Sequence, residues 1–206
     1  MNQTETYQKL LKDAIELAAE LKIEHTNWQT YLDSTQAQIN EQTAPTFING
    51  PLFDFVQNEM KHEFYWGDKC IPISFLTYSC MKAKGFDVEL IIGNLNILNH
   101  PDDEFSCTTE SLIQEYQYPN KENSFPGHAW VALGNDIIID FAIRDRLVKR
   151  CRYPDDTKYN IAGPIDYIAS NFNLQYKPML TGLGFLSATS DIDFAADFKE
   201  IQRKLS

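Results

Sequence analysis

The sequence predicts an α+β fold that combines helices with antiparallel strands, and three observations favour it. Apolar residues recur at helical spacing near the N-terminus and again over residues 72–84. A run with strand character follows the second of these helices at residues 86–93. Two more such runs flank Gly134-Asn135, a pair typical of turns, and predict a β-hairpin.

The length of 206 residues allows one ample hydrophobic core and is short for two full domains. We therefore expect one folding unit, with residues 1–60 as a helical N-terminal extension packed on a main domain at 61–206. No uninterrupted apolar run approaches the length of a membrane span, which predicts no membrane partner. The first residues contain neither a basic nor an apolar signal region, so the sequence predicts a cytoplasmic location.

The charge balance is strongly acidic. Lys and Arg number 18 against 29 Asp and Glu, which gives a formal net charge of −11. Because such a surface repels a phosphate backbone, nucleic acid is not an expected partner. A basic or neutral peptide is admitted more easily than an acidic one.

The cysteine pattern bears on metals, disulfides and reactivity. Cys70, Cys80, Cys107 and Cys151 form no CxxC pair, and the four histidines are scattered. Since no zinc-ligand spacing results, the sequence predicts neither a metal site nor an organic cofactor. In a reducing compartment the thiols are expected to stay free. Cys80 lies on the apolar side of its predicted helix and is expected to be an inert core residue.

The N-terminal half is predicted to be mainly helical. Residues 5–23 form one amphipathic helix, and a second helix is expected over 30–42 in a polar stretch. A short helix at residues 52–60 leads into an aromatic run that ends at Trp66. Aromatic clusters usually pack in a core, but this one directly precedes Cys70 and is also a candidate wall of a site.

The next helix, at residues 72–84, has proline in its first turn and ends before a glycine, as helices often do. The strand at 86–93 is followed by a long polar and acidic excursion over 94–126, with a short helix near 111–115. A loop of this length in a compact domain is often functional.

The C-terminal part begins with the hairpin, predicted at residues 127–133 and 136–143. A basic run over 144–152 follows, and most such runs are solvated edges. Helices at 164–171 and 191–205 are predicted to close the domain.

Three side chains suit a nucleophilic site. A thiol reacts as the thiolate, which a helix N-terminus and a nearby imidazolium both stabilise. Cys70 lies at the start of a predicted helix, where backbone N–H groups, including its own, can also bind an oxyanion. His128 and Asp140 lie on the two strands of the hairpin and suit the roles of base and orienting carboxylate. Asp145 is the alternative orienter if Asp140 faces away.

The hairpin register decides whether His128 and Asp140 can meet. Directly opposed residues of an antiparallel pair share one face of the sheet. A three-residue turn at 133–135 places His128 opposite Asp140. A two-residue turn at Gly134-Asn135 moves Asp140 to the other face. The catalytic interpretation therefore predicts an odd-length turn or a bulge.

Three sequence blocks contain the candidate residues and follow one another in order. They are Gly67-Asp68-Lys69-Cys70 opening a helix, then Lys84-Gly85-Phe86-Asp87-Val88-Glu89-Leu90-Ile91-Ile92-Gly93, then Gly127-His128-Ala129-Trp130-Val131 with Ile138-Ile139-Asp140. Over about half of the chain, these blocks resemble the transglutaminase-like family of papain-like thiol enzymes, whose order of cysteine, histidine and aspartate they share.

This resemblance implies a papain-like core in which the helix carrying Cys70 packs on an antiparallel sheet carrying His128 and Asp140. The catalytic domain would then comprise residues 61–206. The resemblance also implies an activity in which a thiol attacks a peptide or carboxamide carbonyl and forms a thioester. Family members include transglutaminases, deamidases and peptidases.

The residues support two functional hypotheses. In the first, the chain is a cysteine-dependent acyl-transfer enzyme with Cys70 as nucleophile, His128 as base and then acid, and Asp140 as orienter. Its substrate is a peptide, a protein or a small amide, and Trp66 and Trp130 are the candidate substrate-binding residues. In the second, the fold has lost turnover and binds a protein or peptide through the acidic excursion. Both hypotheses leave the oligomeric state open.

Overall fold

The computed structural model describes residues 2–23, 44–119, 126–155, 161–190 and 194–205. Helices lie on both faces of a five-stranded antiparallel sheet, so the predicted α+β class is confirmed. The helices are α1 (Gln3–Glu20), α2 (Phe53–Glu59), α3 (Cys70–Ala83), α4 (Thr109–Gln117), α5 (Phe141–Lys149), α6 (Ile165–Phe172), α7 (Leu183–Thr189) and α8 (Phe194–Leu205). The strands are β1 (Val88–Ile97), β2 (His128–Leu133), β3 (Ile137–Asp140), β4 (Ile161–Pro164) and β5 (Leu174–Thr181).

The sheet order is β4-β3-β2-β1-β5, and every neighbouring pair is antiparallel. In the central pair, Gly93 of β1 lies opposite His128, the first residue of β2. The β1–β5 register shifts between Ile92 and Gly93. A Cβ atom at Gly93 would collide with the carbonyl oxygen of Lys177 and would press on the ring of Trp130. Only glycine therefore fits at this point of the sheet.

One face of the sheet is covered by α3. Nearly every residue of this helix is apolar or small, and several are fully buried. The apolar cluster on this face includes Ile73, Phe75, Met81, Leu90, Ile92, Val131 and Ile139. At the level of β2, Ser74 Oγ donates a hydrogen bond of 2.8 Å to the carbonyl oxygen of Ala129. This packing fixes the first turn of α3 beside the start of β2.

The opposite face is covered by α1 and α6. The helix α1 begins with a capping box, in which Asn2 and Glu5 exchange backbone and side-chain hydrogen bonds. The predicted amphipathic helix is thus confirmed and begins at Gln3. The apolar cluster on this face includes Tyr7, Leu11, Ile91, Trp130, Ile138, Ile168 and Tyr176. Side chains of successive strand residues alternate between these two clusters, as the pleat requires.

Several predicted elements differ from those observed. The predicted helix at 72–84 begins earlier, at Cys70, so the cysteine is its first residue. The excursion at 94–126 is less irregular than expected, since β1 continues to Ile97 and α4 is longer than the predicted helix. The predicted helix at 30–42 and the start of the last helix at 191–193 lie outside the described residues.

The C-terminal part contains the clearest corrections. The second hairpin strand ends at Asp140 rather than at residue 143, because Asp140 caps a new helix, α5. The basic run predicted as a solvated edge lies mostly on this helix, and its Arg146 is only 8% exposed. The elements β4, β5 and α7 were not predicted. The proposed boundary at residue 60 stays a prediction.

Within the described ranges, no helix is both long enough and apolar enough to span a membrane.

Candidate active site

The hairpin brings His128 and Asp140 into contact. Leu133 lies opposite Ile137, which leaves a three-residue turn at 134–136. The predicted odd-length turn is confirmed, but it begins one residue later than expected, so by this register Trp130 rather than His128 faces Asp140 directly. His128 is its diagonal neighbour on the same face, which is within reach of a long side chain. The His128 Nε2 to Asp140 Oδ2 distance is 2.6 Å.

Asp140 is a buried carboxylate with a donor for each of its lone-pair directions. Oδ1 accepts the backbone N–H groups of Ala142 at 3.1 Å and Ile143 at 3.2 Å, the first amides of α5. Oδ2 accepts hydrogen bonds from His128 Nε2 and, at 2.8 Å, from the hydroxyl of Tyr176. A carboxylate that is 1% exposed needs such compensation. The helix cap and the histidine contact together fix its orientation.

Cys70 lies beside the other side of the imidazole. It is the first residue of α3 and is 7% exposed. Its thiol is close enough to the imidazole to contribute to the raised pKa of His128. His128 Nδ1 is nevertheless buried with no hydrogen bond of full geometry to any described atom. The thiol is therefore close to the ring without completing a regular bond to Nδ1, as is common for catalytic pairs without bound substrate.

The environment of His128 favours its cationic form. Burial alone lowers the pKa of this imidazole, but the charges and hydrogen bonds of Asp140 and Cys70 outweigh burial and raise the pKa to about 10. At neutral pH the ring is thus an imidazolium between a carboxylate and a thiol. A neighbouring imidazolium stabilises a thiolate.

The other cysteines have the opposite environment. All four thiols are free. Burial raises the pKa of Cys80 and of Cys107 to about 11. Burial, followed by the charge of Asp103, also raises the pKa of Cys151. These three thiols are expected to react slowly at neutral pH, and Cys80 lies in the core as predicted.

The ring of Phe105, which no sequence pattern indicated as part of the site, packs on His128. The centroid of the Phe105 ring lies 4.6 Å from that of the imidazole. Phe105 is held by two backbone hydrogen bonds to Leu95 of β1, at 3.1 and 3.0 Å. The guanidinium carbon of Arg146 lies 4.3 Å from the centroid of the Phe105 ring. Phe105 thus contacts both the imidazole and a cation of α5.

Four charged residues tie the segment containing Phe105 to the start of α3. We call Asp68, Asp103, Arg146 and Arg150 the Arg146 cluster. Arg146 lies 2.9 Å from Asp68 and 3.2 Å from Asp103. Arg150 lies 3.0 Å from Asp68 and 3.7 Å from Asp103. The cluster therefore joins α5, the turn at Pro101–Asp103 and the loop that precedes Cys70.

Replacing Arg146 with glutamine is expected to lower the free energy of unfolding by about 1–3 kcal/mol, because Arg146 is nearly buried while its acidic partners are partly solvated. Urea denaturation at low and high salt measures the effect, which should shrink as salt screens the cluster. The control is Lys12→Gln, which removes an exposed pair with Glu16 at 4.0 Å. If both variants lose the same stability, the cluster contributes no more than a surface ion pair.

The two tryptophans predicted to contact substrate lie in different environments. Trp130 is fully buried, and its indole N–H donates a hydrogen bond of 3.1 Å to the hydroxyl of Tyr7. This placement corrects the prediction for Trp130, because its ring packs behind His128 and no surface of it is open to a ligand. Trp66 is partly buried and lines a cavity of about 380 Å³, together with Phe53, Phe141 and Arg144.

Asp145, the alternative orienter, lies elsewhere. Its Oδ2 accepts the backbone N–H of Trp66 at 2.8 Å and the ammonium group of Lys149 at 2.9 Å. Asp145 therefore positions the wall of the cavity, and Asp140 is the carboxylate that binds the histidine.

Among the described residues, no three His, Cys, Asp or Glu side chains come together in an arrangement that could hold a metal ion.

Comparison with models of protein families gave no match, and neither a curated protein nor a solved structure matches the chain.

Proposed function

We propose that the chain is a cysteine-dependent acyl-transfer enzyme that acts on a peptide or carboxamide bond through a thioester. The observation that carries the proposal is the line from Asp140 through His128 to Cys70 at the start of α3, with the other three thiols outside it. We further propose that the Cys-bearing helix and the sheet form a papain-like core of the transglutaminase-like type. Fold likeness alone would not support an activity, so the proposal rests on the site.

The three residues act together in the first half-reaction. The Cys70 thiolate attacks the carbonyl carbon of the substrate, and the carbonyl electron pair moves onto oxygen, where N–H groups at the start of α3 stabilise it. The intermediate collapses as the C–N bond breaks, and the His128 imidazolium gives its proton to the departing nitrogen. The products of this half-reaction are an amine, or ammonia from a primary carboxamide, and a Cys70 thioester.

The second half-reaction reverses these roles. His128, now neutral, takes a proton from water or an acceptor amine as that molecule attacks the thioester carbonyl. The C–S bond breaks, and the sulfur leaves as thiolate beside the restored imidazolium. Water gives hydrolysis and an amine gives transfer. Asp140 holds Nε2 and stabilises the cation in both halves.

Trapping of the acyl-enzyme tests this function. The protein is mixed with p-nitrophenyl acetate, and the released nitrophenol and the mass of each cysteine peptide are recorded. We expect a burst of about one nitrophenol per chain and an acetyl group on Cys70 that neutral hydroxylamine removes. Cys70→Ser should lose the burst, whereas Cys107→Ser should retain it. Acetylation of Cys70 at the rate of Cys107 would overturn the proposal.

The closed state of the site favours a second candidate, a binding module that has lost turnover. Cys70 is 7% exposed and His128 is not exposed at all, so a substrate must displace neighbouring side chains to reach them. The trapping experiment separates the candidates, because a module that never opens gives no acetyl group on Cys70 while remaining folded.

A further inference from the structure

Tyr176 reaches the site from a strand that does not pair with the strand of Asp140. Two strands, β1 and β2, separate its strand β5 from β3 in the sheet. Its hydroxyl nevertheless donates to Asp140 Oδ2 at 2.8 Å. The same oxygen accepts His128 Nε2 at 2.6 Å, so the histidine and the tyrosine share one acceptor atom.

The surroundings hold the Tyr176 hydroxyl in this position. The side chain is 2% exposed, and its ring makes an edge contact with Trp130 at a centroid distance of 5.1 Å. The glycine at position 93 leaves room for the Trp130 ring between the strands. Burial, followed by the charge of Asp140, raises the pKa of Tyr176 well above its usual value. The hydroxyl therefore keeps its proton and remains a donor at every pH of interest.

We propose that Tyr176 is a positioning residue of this site, whose hydroxyl holds Asp140 ionised and aligned so that Asp140 can support the His128 imidazolium. The inference rests on the proposed function. A buried carboxylate keeps its charge only where donors stabilise it. Two of its four donors are amides of α5 and serve the helix cap, so Tyr176 is the donor that acts on the histidine-binding oxygen.

Few titratable groups surround His128, so the effect of removing the Tyr176 hydroxyl on the imidazolium can be assigned to Asp140. The titratable neighbours are Asp140 on β3, Cys70 on α3 and Tyr176 on β5. The remaining ring contacts, from Phe105 and Trp130, are uncharged. Phe105 in turn contacts Arg146 of the Arg146 cluster, and Trp130 donates a hydrogen bond to Tyr7. Loss of the Tyr176 hydroxyl removes a donor from Asp140 and leaves each of these groups in place.

The test is the pH profile of Cys70 alkylation by iodoacetamide, followed by mass spectrometry of the cysteine peptides. In Tyr176→Phe we expect alkylation on the acid limb of the wild-type profile to slow about tenfold, the value of one hydrogen bond to a charged group. The acid edge of the profile should move to higher pH, because the imidazolium that supports the thiolate is less stable. The matched control is Tyr7→Phe, which also removes a buried hydroxyl from the same apolar cluster.

The outcomes distinguish this inference from the proposed function. If Tyr176→Phe keeps the wild-type profile, or Tyr7→Phe moves it equally, the positioning role is wrong while the enzyme proposal stands. If wild-type Cys70 reacts no faster than Cys107, the proposed function itself is wrong.

A 3-fluorotyrosine placed at position 176 retains the ring and makes the hydroxyl a stronger hydrogen-bond donor. It should therefore move the acid edge of the alkylation profile to lower pH, and this test remains available even if the phenylalanine variant does not fold. An unmoved edge would count against the inference.

Discussion

Replacing His128 with glutamine is expected to slow alkylation of Cys70 at pH 6 by on the order of 100-fold. Glutamine can still donate a hydrogen bond to Asp140, but it carries no positive charge. In the wild type, the raised pKa of His128, about 10, keeps the imidazolium present far above pH 6. Without that cation, the Cys70 thiolate loses the positive charge beside it, and alkylation requires the thiolate.

The pH dependence gives a second readout of the same residue. A free imidazole would lose its proton near pH 6.5, and the alkylation profile would then change near that value. Because the pKa of His128 is raised to about 10, the wild-type profile should be flat through neutral pH and change near pH 10. The glutamine variant has no imidazole at this position and should lack the change near pH 10.

Cys107 provides the internal reference for both measurements. Burial raises the pKa of Cys107 to about 11, so its alkylation should be slow. The substitution at position 128 should not change that rate. If Cys70 in the His128→Gln protein reacts as fast as in the wild type, the reactivity of Cys70 comes from the start of α3 alone and the histidine has another role.

The three residues at the centre of this site could be found from the sequence because each carries a local signal. Cys70 precedes a clear helical pattern, and His128 opens a strand. Asp140 ends an apolar run where a carboxylate needs a partner. The turn of the hairpin begins one residue later than predicted, which shifts the pairing of the two strands by two residues. Because the side-chain period of a strand is two, Asp140 lies on the same face in both registers.

The helix α5 shows where local patterns are ambiguous. The residues after Asp140 are apolar and read equally well as strand or helix. The structure resolves this through Asp140, whose side chain accepts the first amides of the helix. An aspartate before an apolar run is a cap signal, so this helix could have been predicted. An aspartate at the end of one apolar run and the start of another indicates both a histidine partner and a helix cap, and the sequence alone does not separate these two roles of Asp140.

The other parts of the site depend on contacts between distant segments. Tyr176 is 36 residues from Asp140, and its strand β5 shows the alternation of a half-buried strand but nothing that identifies its partner. Arg146 and Asp103 are 43 residues apart, and a basic run is usually solvated. Sequence patterns report the burial of one element at a time, whereas these contacts appear only when the sheet order is known.

Replacing Asp140 with alanine is expected to lower the free energy of unfolding by about 3–5 kcal/mol, because it leaves a buried cation without its partner. The His128 ring, the Tyr176 hydroxyl and two α5 amides all lose their acceptor. Urea denaturation measures the loss. The matched control is Thr108→Ala, which removes the cap of α4, where Thr108 accepts the N–H of Ser111. That loss should be about 1 kcal/mol.

Asparagine at position 140 separates the two roles of this carboxylate. Its side-chain oxygen can still accept the α5 amides, so most of the stability should return. Its amide group, however, would face Nε2 of His128 as a donor and would require the neutral tautomer with the proton on Nδ1, toward Cys70. We therefore expect Asp140→Asn to fold and to lose the fast alkylation of Cys70 at pH 6. If the asparagine variant retains that reactivity, Asp140 is a helix cap and has no part in the chemistry.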